Sequence, residues 1–237
     1  MKRTTAGDHI SSSLTDLMTS LLVIFILLLV AKLNSQAIRT GRTVEYVAHR
    51  INTAQIFNAG EKMRQDGDVI VVVVPQELMS FKQANSEHGG ADLSPAGKEY
   101  LRTTIPRLAS VLCRDDVRKY VDTIVVEGHS DQKGFGSGNQ KTDKQENLIL
   151  SQQRSMAVVS ESLNILGQNS ACFLDLLSAT GRGDAHPLNR QELYGPENRR
   201  VELRIRVRPD LASSIADKLA DNMPDKAAAK VKDSVGK

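Results

Sequence analysis

The run from Ser13 to Leu33, SLTDLMTSLLVIFILLLVAKL, constrains this chain more than any other stretch. Every residue from Leu21 to Ala31 is apolar, and Leu14 and Leu17 extend the run backwards. At about 1.5 Å per residue, the stretch from Leu14 to Leu33 matches the roughly 30 Å hydrocarbon core of a bilayer. It predicts one transmembrane helix over residues 14–33, with a short tail at residues 1–13. Lys2 and Arg3 also suit the start of a signal peptide. The lysine in Ala31-Lys32-Leu33, however, spoils the small-residue cleavage pattern, so a retained anchor is expected. Basic residues stand on both sides (Lys2 and Arg3 before, Lys32, Arg39 and Arg42 after), so charge does not set the orientation.

One carboxylate, Asp16, lies in this span. An ionisable group there costs on the order of 2.5–3.5 kcal/mol at mid-span and less near an edge. On a helix, Asp16, Thr19, Ser20 and Val23 share one face, a short polar stripe suited to meeting protein while the other faces meet lipid. The residues leave two readings open. Asp16 caps a helix start, helped by Ser11-Ser12-Ser13, or it is a working ion site. Desolvation favours the protonated carboxyl, so such a group takes a proton on one side and releases it when its surroundings change.

Asp-Leu-Met-Thr-Ser opening a lone apolar helix resembles the B subunits of rotary stator units, which include the flagellar MotB proteins and the ZorB proteins of Zorya anti-phage systems. The resemblance implies that Asp16 carries protons. It also implies that two copies of the helix sit inside a ring of MotA-like (ZorA-type) membrane subunits, with the N-terminus cytoplasmic and the C-terminal domain periplasmic. The brief tail and the Leu/Ile-rich helix favour the Zorya type over the flagellar one.

Residues 34–67 read as a helical linker, with Val44, Val47, Ile51 and Ala54 at helical spacing. That stripe suits either a coiled-coil stem in a homodimer or a helix packed on its own domain. Beyond it, the β-branched run Val69–Val74 ending at Pro75 reads as a buried strand, and Glu77 to Gln83 as a short second one. Ser94-Pro95 starts a helix running to Cys113. Val121 to Glu127 is a strand, Gly128 to Gln145 a long exposed loop, and Leu148 to Leu166 a helix. Leu176 to Thr180 and the alternating Arg199 to Val207 complete an α+β sheet-and-helix domain over residues 68–209. Residues 210–237 read as a flexible tail.

Four pieces in order resemble an OmpA-like peptidoglycan-binding domain of βαβαβ type. They are Gly128-His129-Ser130-Asp131, the run Asn147 to Arg154, Gly181-Arg182-Gly183 with Pro187, and Glu197-Asn198-Arg199-Arg200-Val201-Glu202. The resemblance implies that Asp131 and Arg154 grip the diaminopimelate of the wall's stem peptide. The chemistry suits those residue types. Diaminopimelate carries an ammonium and a carboxylate on one carbon, and a carboxylate beside a guanidinium pairs with both. Asn147 adds a hydrogen bond, and Arg200 joins as a further candidate. The competing reading is an internal salt bridge between Asp131 and Arg154, worth little. Two departures stand out: Ser130 replaces the usual Thr, and the loop after Asp131 is long.

Cys113 and Cys172 show no metal spacing and are expected to form a disulfide in an oxidising compartment. The net charge of +3 is too small to suggest a nucleic-acid binder. No metal cluster, nucleophile elbow or phosphate loop appears, so neither an enzyme nor a cofactor is expected; His129 beside Asp131 reads as a packing residue. The expected function is an inner-membrane, proton-driven stator subunit moored to peptidoglycan and acting in anti-phage defence. The alternatives are a flagellar stator subunit and an OmpA-like tether without ion transport.

Overall fold

The computed structural model describes residues 6–57, 60–81, 90–133 and 138–208. The expected tail at 210–237, residues 1–5 and the 134–137 part of the loop lie outside them. Helix α1 (Ala6–Thr53) is one unbroken helix of 48 residues. Its 22-residue segment Leu14–Ser35 is long and apolar enough to cross a membrane, and no protein covers it. The last turns of the same helix behave differently. Val44, Val47, Ala48 and Ile51 are buried in the core of the sheet domain. The apolar stripe of the linker therefore packs on its own domain in this chain. Tyr46 Oη and Arg50 Nη2 fasten that end, both donating to Asp116 Oδ2, at 3.0 and 3.1 Å.

The domain is a five-stranded sheet, β1 (Lys62–Asp66), β2 (Val69–Pro75), β3 (Val121–His129), β4 (Leu177–Gly181) and β5 (Arg200–Val207), in the order β1-β2-β5-β3-β4. β3 and β4 run parallel and the other pairs antiparallel. The parallel pair requires a crossover, supplied by α4 (Gln140–Leu166). α2 (Pro95–Leu112) links β2 to β3, with Ser94 as its cap: the hydroxyl accepts from Gly97 N at 3.0 Å, and Pro95 opens the helix. Short helices α3 (Asp115–Arg118) and α5 (Ala171–Leu174) complete it. A disulfide between Cys113 and Cys172 joins the end of α2 to α5.

Several expectations give way. Residues 62–66 form edge strand β1 rather than linker, pairing with β2 through a turn at Gly67, whose φ of +60° suits glycine. KMRQD carries too little apolar alternation to announce a strand; its partner imposes it. The Glu77–Gln83 stretch forms, among its described residues, a turn and a single bridge from Phe81 to Leu93 instead of a strand. Gln140 to Gln145 is helical rather than loop, because Lys and Gln form helix well even when exposed and Asn139 caps it, accepting from Lys141 N. β5 runs through the middle of the sheet.

Period-two alternation gives the sheet two unlike faces. Val201, Leu203, Ile205 and Val207 of β5 point under the helices, with Ile70, Val72 and Val74 of β2 and Ile124 and Val126 of β3. On the other face Arg200, Glu202 and Arg204 lie beside His129, Glu127 and Val125. α4 presses unusually close to β3 and β4. A Cβ on Gly128 would overlap the Ser151 carbonyl oxygen, and one on Gly181 would come within 2.5 Å of Gln152 N. Ser151 Oγ accepts from Gly183 N at 2.8 Å, and Gln152 Oε1 from Gly181 N at 2.6 Å. These contacts set the height of α4, and with it the positions of Asn147 and Arg154.

Candidate functional site

β3 ends at His129, and the chain leaves the sheet through Ser130 and Asp131. Two backbone bonds hold that exit: Ser130 N to Gly183 O at 2.9 Å and Gln132 N to Leu193 O at 3.0 Å. Asp131, only 6% exposed, turns one oxygen to its own loop, where Oδ1 accepts from Lys133 N at 3.2 Å. Its other oxygen, Oδ2, accepts from Arg199 Nη1 at 2.6 Å. Arg199 also donates through Nε to Gln76 Oε1, so it spans from the end of β2 to the end of β3.

Arg154 is the fifteenth residue of α4, about four turns in. It lies 5.1 Å above the Phe81 ring and donates through Nε to Gly90 O at 3.1 Å. Burial lowers its pKa to about 10, with Asp131 pulling it back up and Arg199 pushing it down. Asn147, about two turns earlier on the same side of α4, reaches Lys133 O through Nδ2 at 3.5 Å. Asp131, Asn147 and Arg154 thus gather where β3 meets α4. The structure pairs Asp131 with Arg199; it does not place the bond to Asp131 on Arg154. Three charges, one negative and two positive, can accept from an ammonium and donate to a carboxylate.

Arg200 is not part of this group. Its Nε donates to Glu202 Oε1 at 2.8 Å and its Nη2 to His186 O at 3.1 Å, on the far face of the sheet. Neighbours on a strand point opposite ways, so Arg199 and Arg200 cannot both face α4. The signal was in the sequence: Arg199 has the parity of Val201 and Leu203, the core-facing residues. Gln76 and Phe81 carry no such mark and join the group only through the fold.

The far face holds its own charged cluster. Glu127 and Glu202 are buried with His129 between them, Nε2 lying 3.1 Å from Glu127 Oε1 and 3.8 Å from Glu202 Oε1. His129 Nε2 is close enough for an ion pair but not aligned for a hydrogen bond, and Nδ1 has no hydrogen-bond partner either. Arg182 serves Glu127, while Arg200 and Arg204 serve Glu202. Burial raises the Glu127 pKa, but His129 and then Arg182 outweigh it and hold the group at about 2. Burial lowers the His129 pKa, against the pull of Glu127. His129, Glu127 and Glu202 have metal-ligand types within 4.8 Å. With three arginines already on the two carboxylates, a dication would meet net positive charge, so the set does not fit a metal.

Asp16 lies ten residues inside α1, so it is not a cap. The Thr19 and Ser20 hydroxyls donate to the Asp16 backbone carbonyl, at 3.0 and 2.7 Å, and not to its carboxylate.

Fold and site together define an α+β sheet-and-helix domain carried on a helix that is long and apolar enough to cross a membrane. Among known proteins, the chain is 27% identical to Zorya protein ZorB of Escherichia coli (Crooks strain) over 185 residues, 74% of this chain and 77% of that one. It is likewise 27% identical to Zorya protein ZorB of Escherichia coli O139:H28 over 206 residues, 81% of this chain and 78% of that one. Solved structures include a MotB-like protein from Desulfovibrio vulgaris, at TM-score 0.49 and 21% identity, covering 74% of this chain and 98% of that one. Another is the periplasmic domain of Helicobacter pylori MotB, at TM-score 0.46 and 20% identity, covering 69% and 92%. No family model matches the chain.

Proposed function

We propose that this chain is the wall-anchoring subunit of a proton-driven rotary motor that acts in anti-phage defence. The observation that carries the proposal is continuity. One helix carries Asp16 within a segment long and apolar enough to cross a membrane at one end, and at the other forms part of the core of the domain that holds the carboxylate–guanidinium group. Asp16 carries the proton, with protonation favoured whenever its side chain is desolvated. Two copies of the helix sit within a ring of MotA-like, ZorA-type subunits, which supply the changing surroundings that Asp16 needs. The N-terminus faces the cytoplasm and residues 68–209 the periplasm, anchored in the inner membrane through residues 14–33. Similarity to proteins named Zorya protein ZorB favours defence over swimming.

At the wall, Asp131 accepts from the diaminopimelate ammonium while Arg154 donates to its carboxylate. Arg199 orients Asp131, and Asn147 steadies the loop through Lys133. Two substitutions test the halves separately. Asp16→Asn should abolish phage resistance while purified sacculi still retain the protein. Asp131→Ala or Arg154→Ala should abolish retention by sacculi. Full resistance in Asp16→Asn would reduce the protein to a plain tether, and unchanged retention in the other two would remove the ligand assignment.

A further inference from the structure

Arg154 is buried, yet an arginine has more rotamer freedom to lose than almost any other side chain. Helix α4 fixes where its stem starts and leaves the head undetermined. Two contacts from outside the helix hold the head. Nε donates to Gly90 O at 3.1 Å, and the guanidinium carbon lies over the Phe81 ring, 5.1 Å from its centre.

The ring is itself held by the fold. Ser80 O accepts from Ser94 N at 3.1 Å, and the Ser80 and Ser94 hydroxyls meet at 2.6 Å. Phe81 and Leu93 form an antiparallel bridge. A Cβ on Gly97 would come within 2.5 Å of Ser80 O, so the first turn of α2 lies directly against this segment. Met79 and Leu93, both buried, root it in the core on either side. The ring is therefore a fixed surface, built by α2 and presented to a side chain of α4.

Such a surface has a chemical use. A guanidinium grips a carboxylate best through two parallel N–H bonds, which needs its plane set in advance. The face of an aromatic ring carries partial negative charge, so it attracts the cation and offsets part of the cost of burying it. An aliphatic side chain of the same bulk would fill the space without that attraction.

We infer that Phe81 is a positioning residue for the wall ligand: its ring face holds the Arg154 guanidinium in the orientation that meets the diaminopimelate carboxylate. This rests on the wall-binding reading above, and Phe81 acts through Arg154.

The test uses the full-length protein in detergent and measures binding of meso-diaminopimelate. Phenylalanine with one, two or three ring fluorines at position 81 keeps the shape while draining charge from the ring face. Affinity should fall stepwise along that series, by about tenfold for the trifluorinated ring. Phe81→Leu and cyclohexylalanine at the same position should lose about as much, while Phe81→Tyr stays within about twofold of the parent. A ring that serves only as packing is indifferent to fluorine, and the near-isosteric fluorinated series decides the matter even if Phe81→Leu fails to fold. Affinity that stays level along the series, or cyclohexylalanine that binds as well as phenylalanine, overturns the positioning role. Failure of the parent protein to bind meso-diaminopimelate overturns the wall-binding reading itself.

Discussion

Two charged clusters sit at the same end of the sheet, on opposite sides of it, and they differ in what they can still do. The Glu127–His129–Glu202 cluster lies within strands, and its two carboxylates are closed by Arg182, Arg200 and Arg204. The Asp131 cluster lies where strands end, and its charges come from a loop, a helix and the residue before a strand. Regular β structure fixes cross-strand neighbours at close spacing, so charges placed there satisfy one another and hold the sheet together. At strand ends the backbone turns away, and side chains converge on space rather than on each other. Binding chemistry collects at such ends for that reason. Arg199 and Arg200 make the contrast within one dipeptide, since one faces each cluster.

Three experiments press on this difference. Glu202→Ala should have the largest effect. It leaves Arg200 and Arg204 without their carboxylate at a position only 1% exposed. A loss of about 3–5 kcal/mol in chemical denaturation is expected, as for breaking a buried pair. A loss under about 1 kcal/mol would mean that the cluster is not structural. Asp131→Ala should invert the pattern. Arg199 is a third exposed and can turn to water, so the stability loss should be about 1 kcal/mol although sacculus binding disappears. A change in stability as large as that of Glu202→Ala would erase the distinction between the two clusters.

The smallest effect is the dependence on pH. His129 has its pKa held below the ordinary 6.5, so the unfolded chain takes up its proton first as pH falls. The fold therefore loses stability on acidification from about 6.5 downwards. Glu127, at about 2 against an ordinary 4.5, contributes stability that is full above 4.5 and lost as pH falls towards 2. The melting temperature should decline in two stages, and His129→Gln should remove the upper stage and move the lower one to higher pH, since His129 helps hold Glu127 down. A profile unchanged by that substitution would show that His129 is already satisfied in a way the far-face geometry does not provide.

Much of this was legible in the chain itself. The apolar run specified a membrane-length helix, because no water-exposed structure accommodates so many consecutive apolar side chains. Val69 to Val74 specified a central strand, and Ser94-Pro95 a helix start, because β-branching and capping act locally. Alternation along Val201, Leu203 and Ile205 already assigned Arg199 and Arg200 to opposite faces. Other features existed only in three dimensions. β1 is a strand because β2 offers it an edge, not because KMRQD favours one. The last turns of α1 lie in the domain core because their stripe fits between sheet and α2, where a partner chain would have satisfied it equally. Phe81 and Gln76 meet Arg154 and Arg199 from distant segments. Short-range preferences act through neighbouring residues and so can be read from their order, whereas a site assembled across strand ends depends on how the elements pack.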